Sequence, residues 1–411
     1  TWVPMHPGED LSFSWVASHP EVPGLEAGGL IAHGGGYFRS LNQHVGVRLS
    51  TDGGRTWSNI GPFDDSRITV WNIGFGDATG QVIYAATDFG LYKTLNQGGS
   101  WTNILDCSQS SFFLDRVSFL VSPLDPNVLL LAQRRLGVMR SVNGGVTWAR
   151  VDNWLDPASA DPKTAILAWS SKGVVYAETV EYAGDPLPMT IHRSANSGAT
   201  WQQRVTFSTF NQGPYDMAIA VNPSKVNSVV IHNSYLHRST DGFATSGTNQ
   251  GYSAGPDSMS IVFDQTNPSV IYDGNDEGVW RSADGGNTWR PFDLGVLTTK
   301  SIGGSANAVG PDGKIYTNAA DYSGQQYTPG WGWFNRPDGY EYDVYHVNPR
   351  DGNDLYRYTN ELHRSPTSTR DAALIDPLAG TSSSYENHQG LGFDPSVADT
   401  LVVCKRGELY R

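Results

Sequence analysis

Ionisable and aromatic side chains recur just ahead of short apolar runs in this sequence. Asp65 and Arg67, Asp115 and Arg116, Lys163, and Tyr215 and Asp216 stand before four of them. Asp257, then Glu341, Tyr342 and Asp343, then Glu386 and His388 stand before three more. Acids, bases and tyrosines together suit hydrogen bonding to sugar hydroxyls, and Trp71, Trp169, Trp331 and Trp333 offer flat apolar faces for stacking. Polar loops ahead of strands are also ordinary solvated surface, and Trp71 and Trp169 fall inside strand-like runs where they can equally be core. Two turns stand out: IYAATDFGLYKT (83–94) and IYDGNDEGVWRS (271–282) each place Asp, one residue and Gly between apolar runs, which puts Asp88 and Asp276 at turn tips. The same spelling makes a plain turn without any chemistry.

A repeat must position these residues. RLSTDGGRTW (48–57), RSVNGGVTW (140–148), HRSANSGATW (192–201) and RSADGGNTW (281–289) share a Ser, an Asp or Asn two residues on, a Gly and a Trp. The opening Ser or Thr falls at Ser50, Thr94, Ser141, Ser194, Ser239 and Ser282, every 43 to 53 residues. That period fits a four-stranded propeller blade. In 261–292 the expected strands are IVF, SVIYDG, GVWRS and TWRPF, separated by NP, DEG and DGG turns. Decayed copies follow at 301–334, 342–368 and 390–411.

The expected fold is therefore all-β: one closed propeller over 1–411, with nine blades counted within a range of seven to ten. The last copy stops at the Arg that elsewhere precedes the Ser, and the chain begins with Thr-Trp. Residues 1–5 are thus expected to add the fourth strand to the blade of 386–411 and close the ring by strand pairing.

Within the repeat the acids read as folding residues. Paired glycines such as Gly285 and Gly286 accept positive φ, the Asp before them accepts hydrogen bonds from the loop backbone, and the Trp packs beneath the turn. Trp57, Trp101, Trp148, Trp201 and Trp289 are expected to be mostly buried at equivalent places.

This phrase resembles the Asp-box, or BNR repeat, of sialidase-type and related propellers, in which the box lies on the outer rim away from the binding face. Sialidases also carry a Phe/Tyr-Arg-Ile-Pro motif. The nearest string here, YFRS at 37–40, lacks its Ile-Pro, so sialidase activity is not expected. The Asp88 and Asp276 turns look like the Asp-containing turns of the xyloglucanase-type glycoside hydrolases. That resemblance implies an extracellular protein acting on a neutral polysaccharide or oligosaccharide. Asp88 and Asp276 would serve as general acid and general base, with Asp115, Arg116, Tyr215, Asp216, Asp257, Tyr342, Asp343 and His388 as substrate contacts. Phe89-Gly90-Leu91 lacks the family's second Gly, and Glu277 follows Asp276. More distantly the chain resembles sortilin-type receptors, which implies the alternative of a non-catalytic propeller binding a protein or peptide, or serving as a surface interaction disc.

Composition narrows the partners. A formal net charge of -13 with scattered basic residues argues against nucleic acid or an anionic membrane surface. No apolar run approaches bilayer length, and TWVPMHPGED lacks the charged start and apolar core of a signal peptide. Cys107 and Cys404 are too few for a disulfide framework or a Cys-rich metal site. The histidines, His232 and His237 beside one short turn and the others dispersed, show no ligand spacing. No cofactor or metal is expected.

Overall fold

Alternating apolar residues between short turns fold into antiparallel meanders. The computed structural model describes residues 13–30, 46–61, 68–107, 117–152, 154, 163–180, 187–209, 216–233, 235–255, 257–275 and 278–292, together with the strands of the segment 308–410. Every described strand belongs to an antiparallel sheet, and the chain divides into two compact units.

The first unit, residues 1–275 and 279–296, accounts for six four-stranded sheets, each a propeller blade with its strands in sequence order. Their first strands are Phe13–Ser18, Val70–Phe75, Ser118–Val121, Thr164–Trp169, Ala218–Val221 and Ser258–Phe263. Consecutive first strands pack side by side. The second strands of the second to fifth blades, Ile83–Thr87, Leu129–Gln133, Val175–Val180 and Val229–His232, are buried along their whole length.

The core lies between blades. Each cluster joins residues of two successive sheets: Leu25, Ala27 and Leu49 meet Val70, Ile73 and Ile83, and Tyr84 and Leu91 meet Phe119 and Leu129. A blade thus buries its two faces against its neighbours, as sheet-on-sheet packing requires.

The second unit holds four-stranded sheets beginning at Ala308–Val309 and Val344–Asn348, and a three-stranded sheet of Leu391–Phe393, Leu401–Lys405 and Glu408–Tyr410. The copies at 301–334, 342–368 and 390–411 are therefore strand meanders like the others. Residues 1–5 lie outside the described residues, as does the closure expected of them.

The repeat turn has one hydrogen-bond pattern in all six blades of the first unit. Ser50 Oγ donates to Asp52 Oδ1 and accepts the Gly54 N–H, both at 2.9 Å. Asp52 Oδ1 accepts the N–H groups of Arg55 and Thr56, and Oδ2 accepts the Thr56 hydroxyl at 2.7 Å. Asn96, Asn143 and Asn196 do the same work, each accepting the N–H four residues on at 2.9 Å. A glycine pair is not required at these turns. Gln97 and Ser197 fill one slot with φ of 51° and 56°, and Phe243 fills another with φ of 56°.

Phe243 also replaces the missing Trp of its blade, since it is fully buried in the core between the fourth and fifth blades. The five turn tryptophans are each more than half buried, in keeping with the expectation, and each keeps an exposed edge. Trp101, Trp148, Trp201 and Trp289 each pack on the core joining their own blade to the one before. Cations just before the turn tie the blades together: Lys93, Arg140 and Arg238 donate to the carbonyls of Gly144, Ser197 and Gly285 in the next blade's turn.

Candidate functional site

In an antiparallel meander the first-to-second and third-to-fourth turns share one end of the sheet, and the second-to-third turn lies at the other. The backbone bonds agree with this. The N–H groups of Gly144, Gly242 and Gly285 in repeat turns bond Asn127, Asn227 and Ser269 in the first-to-second turns at 2.7 to 2.9 Å. The Asp88 turn, between Ile83–Thr87 and Gly90–Thr94, is at the opposite end, with the loops that enter the first strands.

Thr87 shapes the Asp88 turn. Its hydroxyl is buried, donates to the Gly90 carbonyl at 2.9 Å and accepts the N–H groups of Phe89 and Gly90. Asp88 then reaches back to the first strand of its blade. Oδ2 accepts the Thr69 N–H at 2.9 Å, and Oδ1 accepts the Trp71 indole N–H. Both oxygens are engaged as acceptors, so this carboxylate clamps the strand that leads into the blade. Trp71, read from sequence as a stacking face or core, is half-buried on the core between the second and third blades. Trp169 is likewise half-buried, on the core between the third and fourth. Cys107, close by, is a buried free thiol pushed up to about 12 by burial, with the nearby Asp106 and Asp88 charges acting in the same direction.

Asp216 is only 3% exposed, at the start of the fifth blade. Asp257 is half-buried, with a left-handed φ of 52° just ahead of Ser258–Phe263. Asp276, Asp115, Arg116, Tyr215, Tyr342, Asp343 and His388 lie outside the described residues, as does the side chain of Trp333 and the whole of Trp331.

Sequence spacing missed a buried polar network that spans the fifth and sixth blades. His232 Nδ1 lies 3.1 Å from Asp273 Oδ2, and its Nε2 lies 3.1 Å from the Gly255 carbonyl. Ser258 donates to Asp273 Oδ1 at 2.6 Å, and Asn275 Nδ2 donates to Asp273 Oδ2 at 2.7 Å and to the Ala254 carbonyl. His232, Asp273 and Ser258 are all 0% exposed. This is not a nucleophile triad, because the serine bonds the carboxylate and the imidazole bonds a carbonyl. It is a clamp on the backbone of Ala254 and Gly255. Two other buried histidines, His192 and His237, are both lowered to about 4: burial is the main cause in each, with Lys163 adding to it at His192 and His232 at His237.

No family model and no curated protein matches the chain. Among solved structures it is similar to a GH74 enzyme from Niastella koreensis at 14% identity, covering 96% of this chain and 76% of that one with a TM-score of 0.45. YCF48 from Cyanidioschyzon merolae is 15% identical over 76% of this chain and 94% of its own, with a TM-score of 0.47. An alpha-L-arabinofuranosidase, arb93a from Fusarium graminearum, is 12% identical over 64% and 86%, with a TM-score of 0.43. The propeller class of the first unit rests on its own sheets: six consecutive four-stranded meanders with first strands side by side and cores between them. Among the described residues, no helix is long and apolar enough to cross a membrane.

Proposed function

We propose that this chain is an extracellular carbohydrate-active propeller acting on a neutral polysaccharide or oligosaccharide, with its site at the blade end that carries Asp88. The supporting observation is the separation of roles along the strands. The repeat-turn acids are saturated by their own loops at one end, while Asp88 and Asp257 stand on second-to-third and first-strand loops at the other. In this reading the repeat turns are Asp-boxes, and the nine sheets make one ring closed by residues 1–5 against 386–411. Asp88 and Asp276 are the hydrolytic pair. Asp115, Arg116, Tyr215, Asp216, Asp257, Tyr342, Asp343 and His388 are contacts. Purified protein is screened against xyloglucan, arabinan and other neutral polysaccharides, then again as Asp88→Asn and Asp276→Asn. Loss of cleavage with binding retained is the expected result, and cleavage that survives both changes removes the pair from the mechanism.

One observation favours a second reading, a binding propeller without catalysis that holds a glycan, protein or peptide. Asp88 already spends both oxygens on Thr69 and Trp71. In that case the same screen shows binding without turnover in the wild-type protein.

A further inference from the structure

The loop after the fifth blade is held by buried side chains of the fifth and sixth blades. Ala254 is fully buried, its carbonyl accepts from Asn275, and the next carbonyl, of Gly255, faces His232 at 3.1 Å. Asp273, itself wholly buried, fixes both partners. In the second and third blades the positions in register with His232 are Ala86 and Ala132, and those in register with Asp273 are Ala85 and Leu131. Burying an ionisable pair where alanine or leucine suffices in the second and third blades costs desolvation and does little for net stability. What the pair and Asn275 secure is the placement of one loop.

That loop displays Tyr252 at one end and Asp257 at the other. Tyr252 is 56% exposed, and its ring lies 5.1 Å from that of Tyr235, tilted by 54°. Tyr235 comes from the second-to-third turn of the fifth blade, the counterpart of the Asp88 turn. The Tyr252 hydroxyl is held above its usual titration range by partial burial, then by its hydrogen bond and charge coupling with Tyr235 and by the Asp257 carboxylate. The two phenols thus share one spot at the proposed site end, with the Asp257 charge close enough to act on the Tyr252 hydroxyl.

We propose that Tyr235, Tyr252 and Asp257 form a subsite for one sugar ring of a neutral glycan, with the ring's apolar face on Tyr252 and its hydroxyls bonded to Asp257 and the phenols. This inference rests on the carbohydrate reading above and assigns it a place. Exposed aromatic faces beside hydrogen-bonding groups match the amphipathic faces of a sugar. Two rings at 54° make one open platform rather than the enclosing walls that favour a cationic side chain.

The test measures binding of xyloglucan- and arabinan-derived oligosaccharides by calorimetry to wild type, Tyr252→Ala, Tyr252→Phe and Tyr235→Ala. Tyr252→Ala is expected to weaken binding by about tenfold, the scale of one aromatic stacking contact, and Tyr252→Phe by no more than about threefold. On the wild-type protein the bound oligosaccharide should slow chemical nitration of Tyr252, a readout independent of whether any variant folds. A sugar that binds wild type and Tyr252→Ala equally, and leaves nitration unchanged, overturns the subsite while leaving the carbohydrate reading intact. A wild-type protein that binds none of these sugars overturns both. Binding of a Lys-rich peptide that is lost in Tyr252→Ala, with no sugar effect, overturns the choice of ligand.

Discussion

The two ends of the blades in the first unit follow different rules. At the repeat-turn end, six blades repeat one arrangement, and whether the acceptor is Asp52 or Asn143 the loop backbone consumes it. At the opposite end the blades diverge: Asp88 clamps a strand in the second, Gln133 accepts the N–H groups of Arg135 and Leu136 in the third, and His232, Asp273 and Asn275 clamp a loop in the fifth and sixth. Uniformity marks the groups that every blade needs to fold. Residues at the divergent end are not bound to one shared turn pattern, and the proposed site is placed there.

The largest expected effect lies at the divergent end. Asp273→Ala removes the common acceptor of His232, Ser258 and Asn275 and strands them in a dry interior, so it should cost about 3–5 kcal/mol in denaturant unfolding. A loss below about 1 kcal/mol would mean that the network is replaceable by packing. At the uniform end, Trp148→Ala empties a half-buried site on the core between the second and third blades and should cost about 2 kcal/mol, less than a fully buried Trp would. An unchanged midpoint would remove the tryptophan from the structural account.

The smallest effect separates the Asp turns from the Asn turns. Asp52 and Asp284 are both lowered to about 2. For Asp52 the main cause is the Thr56 N–H; for Asp284 desolvation opposes the shift, and the Thr288 N–H and hydroxyl outweigh it. A carboxylate whose folded value lies below its unfolded value of about 3.9 contributes stability that is present above pH 4 and is lost as pH falls toward 2. Asp52→Asn with Asp284→Asn should therefore flatten acid unfolding between about pH 4 and 2 and leave neutral stability nearly unchanged, since Asn already serves in three blades. Acid midpoints identical to wild type would refute this assignment.

Much of the fold was legible because the repeat turn is local. Ser282, Asp284, Gly286 and Thr288 bond one another within seven residues, so their spacing alone specifies the turn and the blade period. Phe243 in a positive-φ slot was not legible, because it depends on the core behind it. The site was read only in part. Asp88 and Asp257 were visible as turn and loop residues, but His232 and Asp273 are 41 residues apart and meet across two blades. One signal could have found them: an ionisable residue at the inward strand positions that hold Ala86, Ala132 and Leu131 in the second and third blades. Tyr235 and Tyr252 carried no such mark.

The central claim, that the two ends divide folding from function, is tested most directly by glycan binding in a matched pair of variants. On an oligosaccharide that the wild-type protein binds, Tyr252→Ala should weaken affinity about tenfold with an unchanged melting temperature, while Asp284→Asn at the opposite end should leave affinity unchanged. Equal affinity in both variants, or a loss confined to Asp284→Asn, would contradict it.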